Sequence, residues 1–154
     1  GILDNKHLFK QQLVAAGIPT APSLLVRPSP NPFCPTQDAG FQRIFGAYRG
    51  PFIVKPVSGR ASLHVTFVDS ILQLRDAIAS VTAVTRAPVL IERYLGGAEY
   101  CVAICGPVVA RGGVLTKAEE PLVFSALERR FAPGEPIFTS MDVKPISEER
   151  ARLL

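Results

Sequence analysis

Apolar residues recur at helical spacing in three segments of this chain. The first segment, residues 4–16, starts at an aspartate or asparagine that can cap a helix and ends before a glycine and a proline. The second, residues 41–48, places two phenylalanines, an isoleucine and a tyrosine at helical intervals, which is more typical of a buried face than of a ligand platform. The third, residues 71–84, follows a capping-box pattern formed by Ser70 and Gln73. Three amphipathic helices are therefore predicted.

Short apolar runs between these helices predict strands. In chain order they are Ser23–Val26 and residues 52–57, 65–68, 89–91, 100–105, 108–111 and 122–125. We expect residues 100–105 and 108–111 to form an antiparallel hairpin, residues 27–35 and 129–145 to be irregular, and a last helix to begin at Ser147. Helices mixed with mainly antiparallel strands predict an α+β fold without repeats.

One lysine interrupts the strand PFIVKPV. Side chains on a strand alternate between its faces, so Lys55 shares a face with Ile53 and Val57. Because an unpaired ammonium is costly to desolvate, this lysine either reaches the sheet edge or meets an anion. The run SGRAS, residues 58–62, follows at once and has the small residues, hydroxyls and backbone N–H groups that suit a polyphosphate. An ordinary hairpin loop after a strand-end lysine is the alternative interpretation.

Residues 89–100, VLIERYLGGAEY, form a second polar constellation. A buried strand leads into Glu92, Tyr94 and Leu95, crosses two glycines and resumes as a strand at Glu99. Backbone groups leaving the strand can read the edge of an adenine, the Tyr94 and Leu95 side chains can enclose a ring, and a carboxylate can accept from both ribose hydroxyls. Two solvent-exposed carboxylates around a turn are the alternative.

Composition narrows the possible functions. The chain has 154 residues, 47% of them hydrophobic, and carries a formal net charge of +4. This charge is not gathered into a dense basic run, which favours a small anionic ligand over nucleic acid. No apolar run is long enough to cross a membrane, and no leader pattern is visible, so we expect a cytoplasmic protein.

The cysteines and the chain ends add two expectations. On one strand Cys101 and Cys105 would lie about 13 Å apart, too far for a disulfide, so we expect free thiols packed as small hydrophobic groups. Cys34 lies alone in a loop, and neither cysteine spacing nor histidine number suggests a zinc site. The chain begins at Gly1 and stops at Leu154, within the last predicted helix, which suggests a fragment of a longer parent.

Three segments, in this order, resemble the ATP-grasp superfamily and most closely its D-alanine:D-alanine ligase branch. DNKHLFKQQLVAAGIPTAPS is similar to the family's lysine helix and G-I/L-P sequence, PFIVKPVSGRAS to its V-V-K-P strand and phosphate loop, and VLIERYLGGAE to its E-x-x-x-x-G-x-E hinge. The resemblance covers nearly the whole chain. It implies an ATP-grasp fragment with mainly antiparallel sheets and flanking helices, its first subdomain over residues 1–93 and an incomplete second over residues 94–154.

The resemblance also implies roles for individual residues. Two lysines and the loop would hold the phosphates of ATP, the hinge would hold adenine and ribose, and one arginine would stabilise charge during catalysis. The implied ATP-binding residues are Lys6, Lys55, Ser58, Gly59, Ser62, Glu92, Tyr94, Leu95 and Glu99, and the implied catalytic residue is Arg130.

This chain departs from the family pattern at several points. Ala61 and His64 stand where the phosphate loop normally has a second serine and a glycine, and Arg130 stands for a later lysine with a change of geometry. The family's Mg²⁺ ligands would lie beyond Leu154, and its N-terminal substrate domain would precede Gly1.

Four functions follow from these patterns. The first is that the parent is an ATP-dependent carboxylate–amine or carboxylate–thiol ligase, acting on small-molecule substrates through an acyl phosphate, with little turnover by this chain alone. The second is a non-catalytic nucleotide-binding or regulatory module, and the third a basic interaction domain without a ligand. A protein kinase is discounted, because the glycine loop of kinases precedes the lysine strand and here the loop follows it.

Overall fold

The computed structural model describes residues 1–60, 62–131 and 151–154 and separates the chain into two compact units. Among the described residues, the first unit comprises Gly1–Leu95 and the second comprises residues 96–131 and 151–154. The helices are α1 (Lys6–Ala15), α2 (Ala39–Phe45) and α3 (Leu74–Thr85), with 3₁₀ turns at Ile2–Asp4 and Ile71–Gln73. The strands are β1 (Ser23–Val26), β2 (Phe52–Pro56), β3 (Thr66–Val68), β4 (Val89–Arg93), β5 (Glu99–Cys101), β6 (Ile104–Cys105), β7 (Val108–Arg111), β8 (Val114–Lys117), β9 (Leu122–Val123), β10 (Leu127–Arg129) and β11 (Ala151–Leu153). The predicted α+β class is confirmed.

The first unit is built on a four-stranded sheet of order β1-β4-β2-β3 in which all neighbours are antiparallel. β2 and β3 form the hairpin predicted around the SGRAS loop, with Val54 opposite Thr66. β2 also pairs with β4, and this register sets Ile53 opposite Glu92 and Lys55 opposite Leu90. The strand carrying the lysine thus lies beside the strand carrying the first hinge glutamate.

Strand alternation divides this sheet into an apolar face and a face that carries charge. Phe52, Val54 and the alternate β4 residues Val89 and Ile91 belong to one buried cluster with side chains from α2 and α3. That cluster includes Phe41 and Phe45, together with Leu74, Ile78 and Val81. The aromatic residues of α2 are therefore core, as predicted. Lys55 and Glu92 lie on the opposite face because they occupy the intervening positions.

A side-chain cap marks the start of α1 but not the start of α3. The side chain of Asn5 accepts a hydrogen bond from the Leu8 N–H at 3.1 Å, which confirms a capped start for α1. The predicted capping box before α3 is wrong, because Ser70 makes no side-chain cap. A 3₁₀ turn intervenes there, and the Gln73 side chain instead accepts from the Asp69 N–H at 3.1 Å.

The second unit is paired differently from the prediction. Residues 100–105 do not form one strand, since β5 pairs with β10 whereas β6 pairs with β9. β7 forms its hairpin with β8, turning at Gly112 and Gly113 rather than at residues 106–107. The predicted 122–125 strand is reduced to Leu122–Val123.

Three further expectations in this part of the chain need correction. Arg129 ends β10 rather than opening an irregular segment, and residues 151–153 form β11 rather than a helix. The remainder of the predicted 129–145 segment and of the Ser147 helix lies largely outside the described residues. Cys101 and Cys105 are free, as predicted, but both are exposed because their strands bury no face against a core.

Candidate functional site

Lys55 forms an ion pair within the first unit. Its Nζ lies 2.6 Å from Oε2 of Glu92 on the neighbouring strand, and the two side chains are 21% and 11% exposed. The residues are diagonal neighbours across the β2–β4 pair, which brings side chains of this length within reach. The anion expected near Lys55 is thus supplied in part by the protein itself.

Lys10 shares the same carboxylate. Its Nζ lies 3.1 Å from the other oxygen, Oε1 of Glu92, and donates a hydrogen bond to the Thr20 hydroxyl at 2.6 Å. The Lys10 side chain is only 12% exposed. Glu92 is therefore a buried bridge between two ammonium groups and not a solvent-exposed turn carboxylate.

Lys6 brings a third ammonium group to this side of the sheet. Its Nζ donates to the carbonyls of Pro56 at 3.2 Å and Gly59 at 3.0 Å, so it holds the backbone on which the SGRAS loop begins. Burial lowers the pKa of Lys6 below its ordinary value, the positive charge of Lys55 lowers it further, and the Glu92 carboxylate partly opposes the shift. Lys6 and Lys55 are thus electrostatically coupled.

The start of α1 is tied to the loop by further contacts. The Lys6 N–H donates to the Val57 carbonyl at 2.9 Å, and Asn5 forms a β-bridge with Ser58. Arg60 donates to the exposed Asp4 carboxylate at 2.8 Å, and this hydrogen bond and charge lower the pKa of Asp4. These contacts place Ser58 and Gly59 beside the lysines.

The described part of the loop has a backbone suited to a tight, exposed turn. Gly59 has φ +126°, and Ser62 and His64 have φ of 54° and 59°, in the left-handed region that side chains seldom adopt. Ser58 and Gly59 are exposed, and Ser62 is half-buried. Ser58 and Gly59 are therefore accessible to a ligand, and Ser62 is partly accessible.

In the hinge segment, residues 92–99, one backbone N–H that was expected to be available to a ligand already has a partner. The Tyr94 N–H donates to the Pro51 carbonyl at 3.1 Å, so it is not available to an adenine edge. The Tyr94 ring packs edge-on against Phe67 with centroids 5.1 Å apart, whereas Leu95 is 61% exposed. The prediction that Tyr94 and Leu95 enclose a ring is untested by this arrangement.

The remaining predicted residues belong to the second unit. Glu99 begins β5 and is the register partner of Arg129 on β10. Arg129 is buried, and within the described residues its Nε and Nη1 have no hydrogen-bond partner. Arg130, the predicted catalytic residue, is exposed immediately after the strand. Burial and unused donors make Arg129 a stronger candidate than Arg130 for a ligand-directed cation in this unit.

Lys10 and Arg129 are the residues that sequence reasoning missed. Lys10 is four residues after Lys6, and an i, i+4 spacing on a helix places both lysines on one face. Arg129 is the last residue of β10. Because the sequence pattern did not predict this strand, it did not single out Arg129.

A separate cavity of about 790 Å³ contains none of the predicted site residues. It lies in the first unit between the proline-rich segment and α3, and its lining includes Arg27, Phe33, Cys34, Arg75 and Asp76. The candidate site rests instead on the opposite, charge-bearing face of the sheet, where the titratable groups converge.

A family model described as "D-ala D-ala ligase C-terminus" matches residues 13–133, which is more than half of the chain. The chain belongs to this family. Its fold is the ATP-grasp fold of these ligases. Lys6 and Lys10 precede the matched residues.

Solved structures of D-alanine ligases share the fold of this family member. The D-Ala:D-Ser ligase VanG from Enterococcus faecalis is 19% identical with a TM-score of 0.62, and the match covers 90% of this chain and 35% of that one. The Bacillus anthracis D-alanine–D-alanine ligase, complexed with ATP, is 21% identical with a TM-score of 0.60, covering 90% and 40%. The Helicobacter pylori enzyme is 21% identical with a TM-score of 0.55, covering 90% and 38%. This chain therefore spans between a third and two fifths of these enzymes.

None of the helices in the described part of this ligase-family chain is long and apolar enough to cross a membrane.

Proposed function

We propose that this chain is the ATP-binding part of an ATP-dependent ligase that joins a small-molecule carboxylate to an amine or a thiol. In the proposed reaction a carboxylate oxygen attacks the γ-phosphorus of ATP, the bond to ADP breaks, and an acyl phosphate forms. The amine or thiol then displaces phosphate from the acyl carbon. Membership of the D-alanine ligase family supports the reaction class.

The observation that carries the proposal is the charge imbalance beside the SGRAS loop. The ammonium groups of Lys10 and Lys55 contact the carboxylate of Glu92, and that of Lys6 is near enough for the charges of Lys55 and Glu92 to shift its pKa. This leaves two formal positive charges uncompensated within the cluster. Partly buried charges are weakly screened, so such an excess favours a polyanionic ligand.

Each residue near the loop has a definite part in this proposal. Lys55 has three ammonium donors and directs one of them to Glu92, so it can bind a phosphate oxygen without releasing the carboxylate. Lys6 exchanges its bonds to the Pro56 and Gly59 carbonyls for phosphate oxygens. Ser58, Gly59 and Ser62 cover the phosphates and exclude water. Glu99 is the residue proposed to contact the ribose, and Arg130, or its neighbour Arg129, is proposed to stabilise charge during catalysis.

The Mg²⁺ that the family implies has no donor set among the described residues. No group of three or more histidine, cysteine, aspartate and glutamate side chains converges there. Carboxylate and carbonyl oxygens are the ligands that Mg²⁺ prefers, and the proposed reaction places none of its steps on a metal held by the described residues.

The proposal is tested by ATP titration of the 154-residue chain and its Lys55→Met variant, using calorimetry. Loss of one charged hydrogen bond is expected to weaken ATP binding by about 1.5–3 kcal/mol. Arg43→Met is the matched control, because Arg43 is an exposed cation on α2, which packs on the opposite face of the sheet. Its ATP affinity should stay at the level of the unsubstituted chain.

Two results would contradict the proposal. If the unsubstituted chain bound no ATP, the site would not be a nucleotide site in this chain. If Lys55→Met and Arg43→Met bound ATP equally well, Lys55 would have no place in it. Binding without turnover is compatible with both the ligase and a non-catalytic nucleotide module, because little turnover is expected of this chain alone.

A further inference from the structure

We infer that Lys10 is a positioning residue of the nucleotide site and acts on the bound phosphates through Glu92 and Lys55. The inference rests on the proposed function, since it concerns ATP affinity. It starts from the arrangement Thr20–Lys10–Glu92–Lys55, in which successive polar atoms are 2.6, 3.1 and 2.6 Å apart.

Lys10 is poorly placed to touch a phosphate itself. Two of its three donors are directed to the Thr20 hydroxyl and to Oε1 of Glu92. Its side chain is 12% exposed, whereas that of Lys55 is 21% exposed. Lys55 therefore has the more exposed side chain of the two lysines and has two ammonium donors that are not directed to Glu92.

The effect of Lys10 on Lys55 follows from how the carboxylate is shared. Glu92 has one oxygen committed to each lysine, so its negative charge is divided between them. Without Lys10, the carboxylate has a single cationic partner in the network and is free to turn both oxygens toward Lys55. Lys55 would then be more fully neutralised and would attract a phosphate less strongly.

This mechanism differs from a simple loss of positive charge. A cation that acted only through the general field would lower ATP affinity by the same factor whether or not residue 92 carried a charge. A cation that acts by holding the Glu92 carboxylate loses its effect when that carboxylate is removed. If Lys10→Met weakens ATP binding less in the Glu92→Gln background than in the unsubstituted chain, the two substitutions are coupled, and Lys10 acts by holding the carboxylate.

The test is a double-mutant cycle on ATP affinity with Lys10→Met, Glu92→Gln and the double variant of the 154-residue chain. We expect Lys10→Met to weaken ATP binding about 5-fold and to change it less than about 2-fold in the Glu92→Gln background. Tripolyphosphate is a second probe, and the same ratio is expected for it because the effect is on the phosphate contacts. Arg43→Met, which removes an exposed cation from α2, should leave both affinities unchanged.

Two milder variants keep the inference testable if Lys10→Met folds poorly, as judged by circular dichroism. Lys10→Arg retains a cation beside Glu92 and is expected to keep ATP affinity within about 2-fold. Thr20→Val is nearly isosteric, removes the hydroxyl partner of Lys10 and should weaken binding in the same direction as Lys10→Met by a smaller factor, about 2-fold.

The outcomes distinguish this inference from the proposed function. Additive effects of Lys10→Met and Glu92→Gln, or an unchanged affinity in Lys10→Met, would overturn the positioning role while leaving ATP binding intact. A loss by Lys10→Arg as large as that of Lys10→Met would also overturn it. Failure of the unsubstituted chain to bind ATP would instead overturn the proposed function and, with it, this role.

Discussion

The Lys6 side chain contacts the phosphate loop and is also a candidate to bind a phosphate. Its ammonium binds two loop carbonyls, while burial and the nearby Lys55 charge lower its pKa. A bound polyphosphate would supply the missing counter-charge. We therefore expect Lys6 to change partners, and not only position, when an anion arrives.

A pH dependence of ATP binding follows from the lowered pKa of Lys6. Only the protonated amine carries the charge that attracts phosphate, so affinity should fall as pH rises through a pKa that lies below 10.5. Arginine remains charged throughout this range, so Lys6→Arg should move the fall to higher pH. Calorimetric ATP titrations across alkaline pH measure both curves, and superimposable curves would contradict the assignment.

The lowered pKa of Lys6 also makes the free energy of unfolding depend on pH. Between the folded pKa of Lys6 and the ordinary value of 10.5, the unfolded chain binds more protons than the folded one. The contribution of Lys6 to the free energy of unfolding should therefore rise with pH in that window. Urea titrations of the chain and of Lys6→Met at several alkaline pH values should show this rise only where lysine is present.

The ionic partners of Lys55 and Lys10 were not predicted from the sequence. The apolar alternation around Lys55 predicted a lysine that either reaches the sheet edge or meets an anion, but it did not predict that Glu92 is its partner. The pairing became visible only from the β2–β4 register, which brings together residues 37 positions apart in the chain. Lys10 was missed for the same reason, since its role depends on the same carboxylate.

At the scale of elements, the connection between α2 and β2 depends on one glycine. Gly50 has φ +126°, and a Cβ there would lie 3.0 Å from the Asp69 carbonyl carbon and the Ser70 Cα, and closer still to the Asp69 oxygen. Gly50→Ala should therefore lower the free energy of unfolding by about 2 kcal/mol or more. Urea unfolding monitored by circular dichroism measures the loss.

Gly59→Ala is the matched control for this substitution. Gly59 has the same φ, but the nearest atom to an added Cβ is Pro56 Cγ at 3.9 Å, an ordinary contact. Only the cost of a left-handed alanine, about 1 kcal/mol, is expected there. Equal losses at the two positions would mean that the close approach of Asp69 is unimportant.

The elements of the two units were not equally predictable. In the first unit β2 and β4 are buried along almost their whole length, so continuous apolar runs in the sequence mark both strands. In the second unit β6, β8 and β9 are exposed along their whole length, and no apolar face selects a partner. The wrong hairpin partner for β7 follows from that missing constraint.

At the scale of the whole molecule, stability should be unevenly distributed. Apart from Pro35, every buried apolar residue in the described part of the chain lies between Phe41 and Ile91, and the described residues of the second unit bury only Arg129. Backbone amides in a packed core open only with global unfolding, whereas exposed hairpins open locally. The two units should therefore differ in hydrogen exchange.

We expect the amides of β2 and β4 to exchange most slowly and those of β7 and β8 to exchange by local opening, at rates insensitive to substitutions in the core. Val54→Ala, which removes buried apolar volume between β2 and the helices, should speed exchange in β2 and β4 and leave β7 and β8 unchanged. Hydrogen-exchange mass spectrometry of the chain and this variant measures both sets of peptides. Equal protection of β2 and β8, or faster exchange throughout in Val54→Ala, would show instead that the chain unfolds as one cooperative body.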